Sequence, residues 1–195
     1  MLFELFFFVD NACLLMQQWV AQHWLSEGKT MPRPRSVPKI SESEILTILI
    51  FYHYSGYKCF EYYYKALVLN DLKTYFPTAP SYNYFIELIE RVALPMAILA
   101  KLTCQQAEKT GIYYIDAKAL PVCDMLRAKQ HKVFAQTASK GKSSMGWFFG
   151  FKLHLIVNHK GQIVDFALTT GQVADNSKDL LNKLLEKISG TLFGD

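Results

Sequence analysis

Gly111-Ile112-Tyr113-Tyr114-Ile115-Asp116 is the stretch on which the reading of the fold turns. Its β-branched and aromatic residues predict a strand, with an aspartate at the end of an otherwise apolar run. Downstream, Phe148 to Asn158 reads as a second strand and Gln162 to Thr169 as a third. The turn Asn158-His159-Lys160-Gly161 between them predicts a hairpin. In the Phe148 strand, Phe149, Phe151, Leu153, Leu155 and Val157 fall on one face, and Lys152 and His154 on the other. Asp175-Asn176-Ser177 can cap a helix over Leu180, Leu181, Leu184, Leu185 and Ile188 that stops at Gly190. Thr191-Leu192-Phe193-Gly194-Asp195 then begins a fourth strand.

Upstream of Gly111 the pattern is helical. Leu2 to Leu25 holds neither Gly nor Pro and predicts one helix. Ser41 followed by Glu44 and an apolar run is a capping box that starts another, which should end near Gly56. An aromatic-rich helix is expected around Phe60 to Leu69. A further one, capped by Ser81, should run to Pro95, and a last from about Met96 to Lys109. Between the first two lies Lys29 to Lys39, with Pro32, Pro34 and Pro38, an extended basic connector. Arg33 and Arg35 within it read either as a solvated linker or as an arm along DNA phosphates or in the minor groove. The short helices fit a helix-turn-helix-like DNA-binding region and an ordinary helical bundle equally well.

Composition sets the outer bounds. With 51% hydrophobic residues the 195-residue chain has ample material for a core, and its formal charge of +4 leans mildly toward polyanionic partners. Cys13, Cys59, Cys104 and Cys123 stand singly, without zinc-ligand spacing, and read as reduced cytoplasmic thiols. The apolar start lacks a basic region and carries Glu4 and Asp10, so neither an export signal nor a membrane span is expected.

Three strands, a helix and a further strand, in that order, match a ribonuclease H-like fold. The expected architecture is mixed α/β: a helical region over residues 1–110, then an incomplete ribonuclease H-like mixed sheet over 111–195. Crossover connections are right-handed, and in this fold the fourth strand lies beside the first, which would make Asp116 and Asp195 neighbours. Two carboxylates so placed repel unless a cation lies between them, and hard oxygen donors suit Mg²⁺ or Mn²⁺. Two such ions can serve phosphoryl transfer. Taken singly, Asp116 reads as readily as a hydrogen-bonded strand aspartate, and Asp195 as a Gly-Asp turn.

The blocks Tyr114-Ile115-Asp116-Ala117-Lys118-Ala119-Leu120-Pro121-Val122-Cys123, His131-Lys132-Val133-Phe134-Ala135, Gly141 to Leu155 and Leu192-Phe193-Gly194-Asp195 resemble, in order, those of a bacterial insertion-sequence DDE transposase of the nine-eighty-two group. Leu46 to Ile50 with Ser55-Gly56-Tyr57, and Pro80-Ser81-Tyr82 with Phe85, are similar to that group's amino-terminal region. The resemblance implies an enzyme that hydrolyses a phosphodiester at the element end and joins the freed 3′-hydroxyl to target DNA. It implies Asp116 and Asp195 as catalytic metal ligands for Mg²⁺ or Mn²⁺, two ions in the complete enzyme. Its partners would be double-stranded DNA, as terminal repeats and as target, in a bacterial cytoplasm, with a homodimer compatible and no membrane.

The resemblance also implies a third acidic ligand, a glutamate on a later helix. Glu186 precedes the fourth strand, and Asp165, Asp175 and Asp179 are likewise out of order, so the expectation is a carboxyl-terminally truncated, inactive chain. Arg127, Lys129, His131, Lys132, Lys140 and Lys142 form a basic connection that reads as DNA phosphate contacts or as a solvated loop. Lys152 and His154 could face the active centre, binding the scissile phosphate or positioning water, or could make a cross-strand structural pairing with an acidic neighbour. The alternative function is a non-catalytic DNA-binding product, a transposition repressor or a gene remnant. A ribonuclease H-like nuclease unrelated to mobility is a third reading.

Overall fold

The stretch without Gly or Pro at the amino terminus is one helix, α1 (Leu2–Ser26). The coordinates are a computed structural model that describes residues 1–26, 37–186 and 188–194. Its contacts group the chain into two units, Met1–Ala100 and Lys101–Asp195.

In the first unit Ser41 caps α2 (Glu42–Tyr52) by the predicted box: its hydroxyl accepts from the Glu44 N–H (3.1 Å), and Glu44 accepts from the Ser41 N–H (2.8 Å). The aromatic-rich segment starts as α3 (Phe60–Tyr63) and widens into a π-helical stretch, Tyr64–Asp71, in which the Leu72 N–H bonds the Leu67 carbonyl. Tyr63 and Tyr64, adjacent in sequence, are both fully buried. Each satisfies its hydroxyl on a backbone carbonyl, Ile48 at 2.9 Å and Pro80 at 2.8 Å. Phe85, on α4 (Tyr82–Ile89), packs on Tyr64 with ring centroids 4.5 Å apart.

The expected break at Pro95 does not occur. A 3₁₀ turn, Glu90–Val92, leads straight into α5 (Ala93–Gln105), and Pro95 stands in its first turn, where a missing N–H costs nothing. No helix among the described residues is long and apolar enough to cross a membrane.

The second unit carries β1 (Ile112–Cys123), β2 (Ser139–Ser143), β3 (Gly146–Asn158), β4 (Ile163–Thr170), α6 (Lys178–Leu185) and β5 (Thr191–Phe193). Long β3 is the centre: β1 pairs antiparallel along one edge, and β2 and β4 share the other edge end to end. On the far side of β1, β5 runs parallel to it, with Ile112, Tyr113 and Tyr114 opposite Thr191, Leu192 and Phe193. Helices followed by this five-stranded mixed sheet form an α/β architecture consistent with an incomplete ribonuclease H-like fold. The predicted hairpin is present, its turn held by Asn158 Oδ1, which accepts from the Lys160 and Gln162 N–H groups at 3.0 and 2.9 Å.

Two differences from the sequence reading matter for the site. First, β1 does not end at Asp116 but runs on to Cys123, so Asp116 stands in mid-strand. Second, Lys140 and Lys142 lie not in a loop but in β2, which forms a hairpin with β3.

Close backbone approach explains the glycine at the centre of β3. A Cβ on Gly150 would stand 2.1 Å from the Leu120 carbonyl oxygen of β1. Gly150→Ala should therefore force the strands apart and cost about 2 kcal/mol, within the range for overpacking. Chemical denaturation would read this as a lower midpoint with an unchanged slope.

Candidate active site

The two faces of the sheet differ in how they are covered. Register sets Ala117 opposite His154 and Ala119 opposite Lys152, on the same side as Tyr113 and Ile156. On that side α6 lays down Leu180 and Leu184, forming a core with Tyr113 and Ile156. Asp116, opposite Leu155, points to the other face together with Tyr114, Lys118 and Leu120. All four are exposed and alternate with less exposed neighbours along β1.

Where the short parallel pairing of Ile112–Tyr114 in β1 with β5 stops, a depression of about 480 Å³ is lined by Tyr114, Ile115, Asp116, Leu192, Phe193 and Gly194. The rings of Tyr114 and Phe193 stack across the two strands at 5.6 Å. The strands lie so close that a Cβ on Gly194 would stand 2.5 Å from Ile115 Cγ2. Asp116 Oδ1 accepts the N–H of Ala117 at 2.7 Å. No basic side chain among the described residues pairs with this carboxylate, which leaves it open to a metal or a solvent-borne donor. Asp195, read as its companion, lies outside the described residues. Among the described residues no three His, Cys, Asp or Glu side chains are grouped to hold a metal ion.

Lys152 and His154 are on the face turned away from the Asp116 side chain and are 6% and 1% exposed. Lys152 Nζ donates to the Val173 carbonyl (3.1 Å) and pairs with Asp175 (3.0 Å), which ties the β4–α6 connection to the sheet. His154 Nε2 is 2.9 Å from Thr169 Oγ1, and its Nδ1 is 4.0 Å from the Asp175 carboxylate. Lys152 thus pairs with an acidic residue of the β4–α6 connection and not with one across a neighbouring strand. Asp175 and His154 also border a pocket of about 110 Å³ with Ile115, Asp116 and Ala117.

Burial holds the His154 imidazole below its ordinary pKa near 6.5, against the opposing pull of Asp175. A folded pKa depressed below the unfolded one contributes stability that is present above pH 6.5 and is lost as pH falls through the folded value. The second unit should thus melt earlier as pH drops from 7 to 5. His154→Gln, which keeps a partner for Thr169, should flatten that dependence in thermal melts across the same range.

The basic residues separate into groups. Arg127 and Lys129 stand exposed on the 3₁₀ turn Met125–Gln130, followed by exposed Lys132. His131 is instead part of an aromatic cluster, parallel to Phe134 at 5.7 Å and edge-on to Phe149 at 6.2 Å. Phe134 in turn meets Phe151 edge-on, so this connection folds over the Asp116 face of the sheet. Lys140 and Lys142, opposite Phe149 and Trp147, are exposed on that same face. Arg33 and Arg35 lie outside the described residues. Lys118, two residues beyond Asp116 and exposed beside it, escaped the sequence reading, although period-two alternation alone sets it there. Of the acidic residues weighed as a third ligand, Glu186 lines a different cavity, of about 380 Å³, with Lys101 and Lys183, and Asp165 is paired with Lys101.

No curated protein and no solved structure matches the chain. Residues 106–195, the part that holds Asp116 and the whole sheet, match the family model described as Transposase DDE domain.

Proposed function

We propose that the chain belongs to an insertion-sequence transposase of the nine-eighty-two group, acting on double-stranded DNA in a bacterial cytoplasm, and that Asp116 and Asp195 are its first two metal-binding carboxylates. The observation that carries this is the pairing of β5 beside β1: Phe193, two residues before Asp195, stacks on Tyr114, two residues before Asp116. A crossover through α6 thus returns the chain to the strand that bears Asp116. The family match over 106–195 agrees with that reading.

An exposed carboxylate that pairs with no basic side chain among the described residues is a hard oxygen donor of the kind Mg²⁺ or Mn²⁺ takes. Divalent ions held there, two in the complete enzyme, would supply Lewis-acid activation of the phosphodiester and stabilise the leaving oxygen. The chain's own part is positional. Asp116 is fixed on a central strand, and Lys118, Lys140, Lys142, Arg127, Lys129 and Lys132 supply positive charge on its side of the sheet for DNA phosphates. Lys152 and His154 act within the fold behind it. Residues 1–110, with Arg33 and Arg35, are proposed to grip the terminal repeats, and two copies to act together on paired ends.

We propose that cutting needs a third carboxylate, a glutamate on a later helix, beside Asp116 and Asp195; among the described residues no three acidic, His or Cys side chains are grouped to hold a metal ion. An element-end duplex incubated with Mg²⁺ should stay intact, and cleavage and strand transfer should appear once a helix bearing the later glutamate is joined to the chain. Cleavage by the 195 residues alone, or none after the addition, would overturn this reading. The second reading, a DNA-binding repressor, predicts end-specific gel shifts over scrambled DNA without cleavage in either form.

A further inference from the structure

Between Asp124 and Asp165 the chain has no acidic residue, yet it carries Arg127, Lys129, Lys132, Lys140, Lys142, Lys152 and Lys160. The β2–β3 hairpin is the exposed tip of this segment. At the tip Met145 is 92% and Trp147 66% exposed. A tryptophan buries more apolar area than almost any other side chain when it packs, so one left in water on a regular strand is a surface kept for something else. Trp147 stands directly across from Lys142, and Lys140 follows on the same face, opposite Phe149. That face continues through Leu120 and Lys118 to Asp116.

We infer that this hairpin is a base-stacking platform for single-stranded DNA: the indole of Trp147 takes the face of an unpaired base, and Lys142 and Lys140 neutralise the adjacent phosphates. An aromatic plane flanked by ammonium groups suits an exposed base with its charged backbone, since every base offers a π face. A blunt duplex, whose bases are stacked on one another, offers no such face. A protein partner would have to meet a uniformly basic strip, which favours the polyanion. Only the direction in which the strand runs, over Lys118 toward Asp116, rests on the transposase reading. The stacking itself does not.

The experiment is fluorescence anisotropy of the full chain, in EDTA, with a labelled thymidine oligonucleotide of about 12 nucleotides and with a blunt duplex. Trp147→Ala should weaken single-strand binding about tenfold and duplex binding less than twofold, whereas Trp147→Phe should keep most of the affinity. The Lys140→Ala, Lys142→Ala pair should weaken both and lower the slope of log affinity against log salt by about 1.4 on the single strand. Unchanged single-strand binding by Trp147→Ala would overturn the inference. So would loss of self-association in sedimentation with oligonucleotide binding intact, which would make the tryptophan a protein interface. Without metal the assay is blind to cleavage, so a failed stacking result and a failed cleavage result are distinguishable.

Discussion

Asp116→Asn should abolish divalent-metal binding while leaving the fold unchanged. The side chain is exposed on a paired strand, and its hydrogen bond to the Ala117 N–H is one that an asparagine carbonyl can also accept. What the amide lacks is the negative charge that holds a hard cation. Titration with Mn²⁺, followed by paramagnetic broadening of backbone resonances, should bleach residues 114–117 and 192–194 in the natural chain and spare them in the variant. In a protein that cleaves the element end, the same substitution should slow cleavage on the order of a thousandfold. That figure is several kcal/mol of lost charge stabilisation at about 1.4 kcal/mol per decade. Equal broadening in both proteins would remove Asp116 from the metal site.

Asp175→Ala should be the most destabilising single change behind the site, at about 3 kcal/mol, the lower end for breaking a buried pair because the aspartate side is 55% exposed. The loss comes from the partner left behind. Lys152 is almost fully enclosed and would keep only the Val173 carbonyl for a buried ammonium. The double variant Lys152→Met, Asp175→Ala should recover most of the stability, since an apolar side chain of similar volume needs no counter-ion. Thermal or urea unfolding of the four proteins of this cycle measures the coupling. Additive losses would mean that the pair contributes nothing beyond its separate parts.

The features that were legible in the sequence are the ones set by local chemistry. The Ser41 and Glu44 box, the turn at Asn158 to Gly161, and the strand that carries Asp116 all depend on residues within a few positions of one another. Strand β2 was not legible because Ser139-Lys140-Gly141-Lys142-Ser143 has no β-branched or aromatic residue. It is a strand because β3 pairs with it and because Gly141 admits the Gly171 carbonyl, whose oxygen would stand 2.1 Å from a Cβ there.

The alternation along β3 was correct, yet it could not say which face α6 would close. Hydrophobicity suggests that the Leu153 and Leu155 face turns inward, whereas the face with Lys152, His154, Ile156 and Asn158 is the buried one. Tertiary partners decide this, Asp175, Thr169 and α6 among them. No window of sequence holds them together. The ordered blocks gave a resemblance to a DDE transposase, and the match of residues 106–195 to the Transposase DDE domain model agrees with it at that level.

Pro121 sits inside β1, opposite Gly150. The Gly150 carbonyl bonds the Gly171 N–H on the other side, so at this pair the main-chain groups of the two residues turn away from each other. The proline therefore faces its missing N–H outward, along the margin of β1 that β5 leaves uncovered beyond Tyr114. An intruding strand that tried to extend the sheet there would meet a gap in the ladder and, at Lys118, a charge. The margin is thereby guarded against amyloid-like stacking between copies.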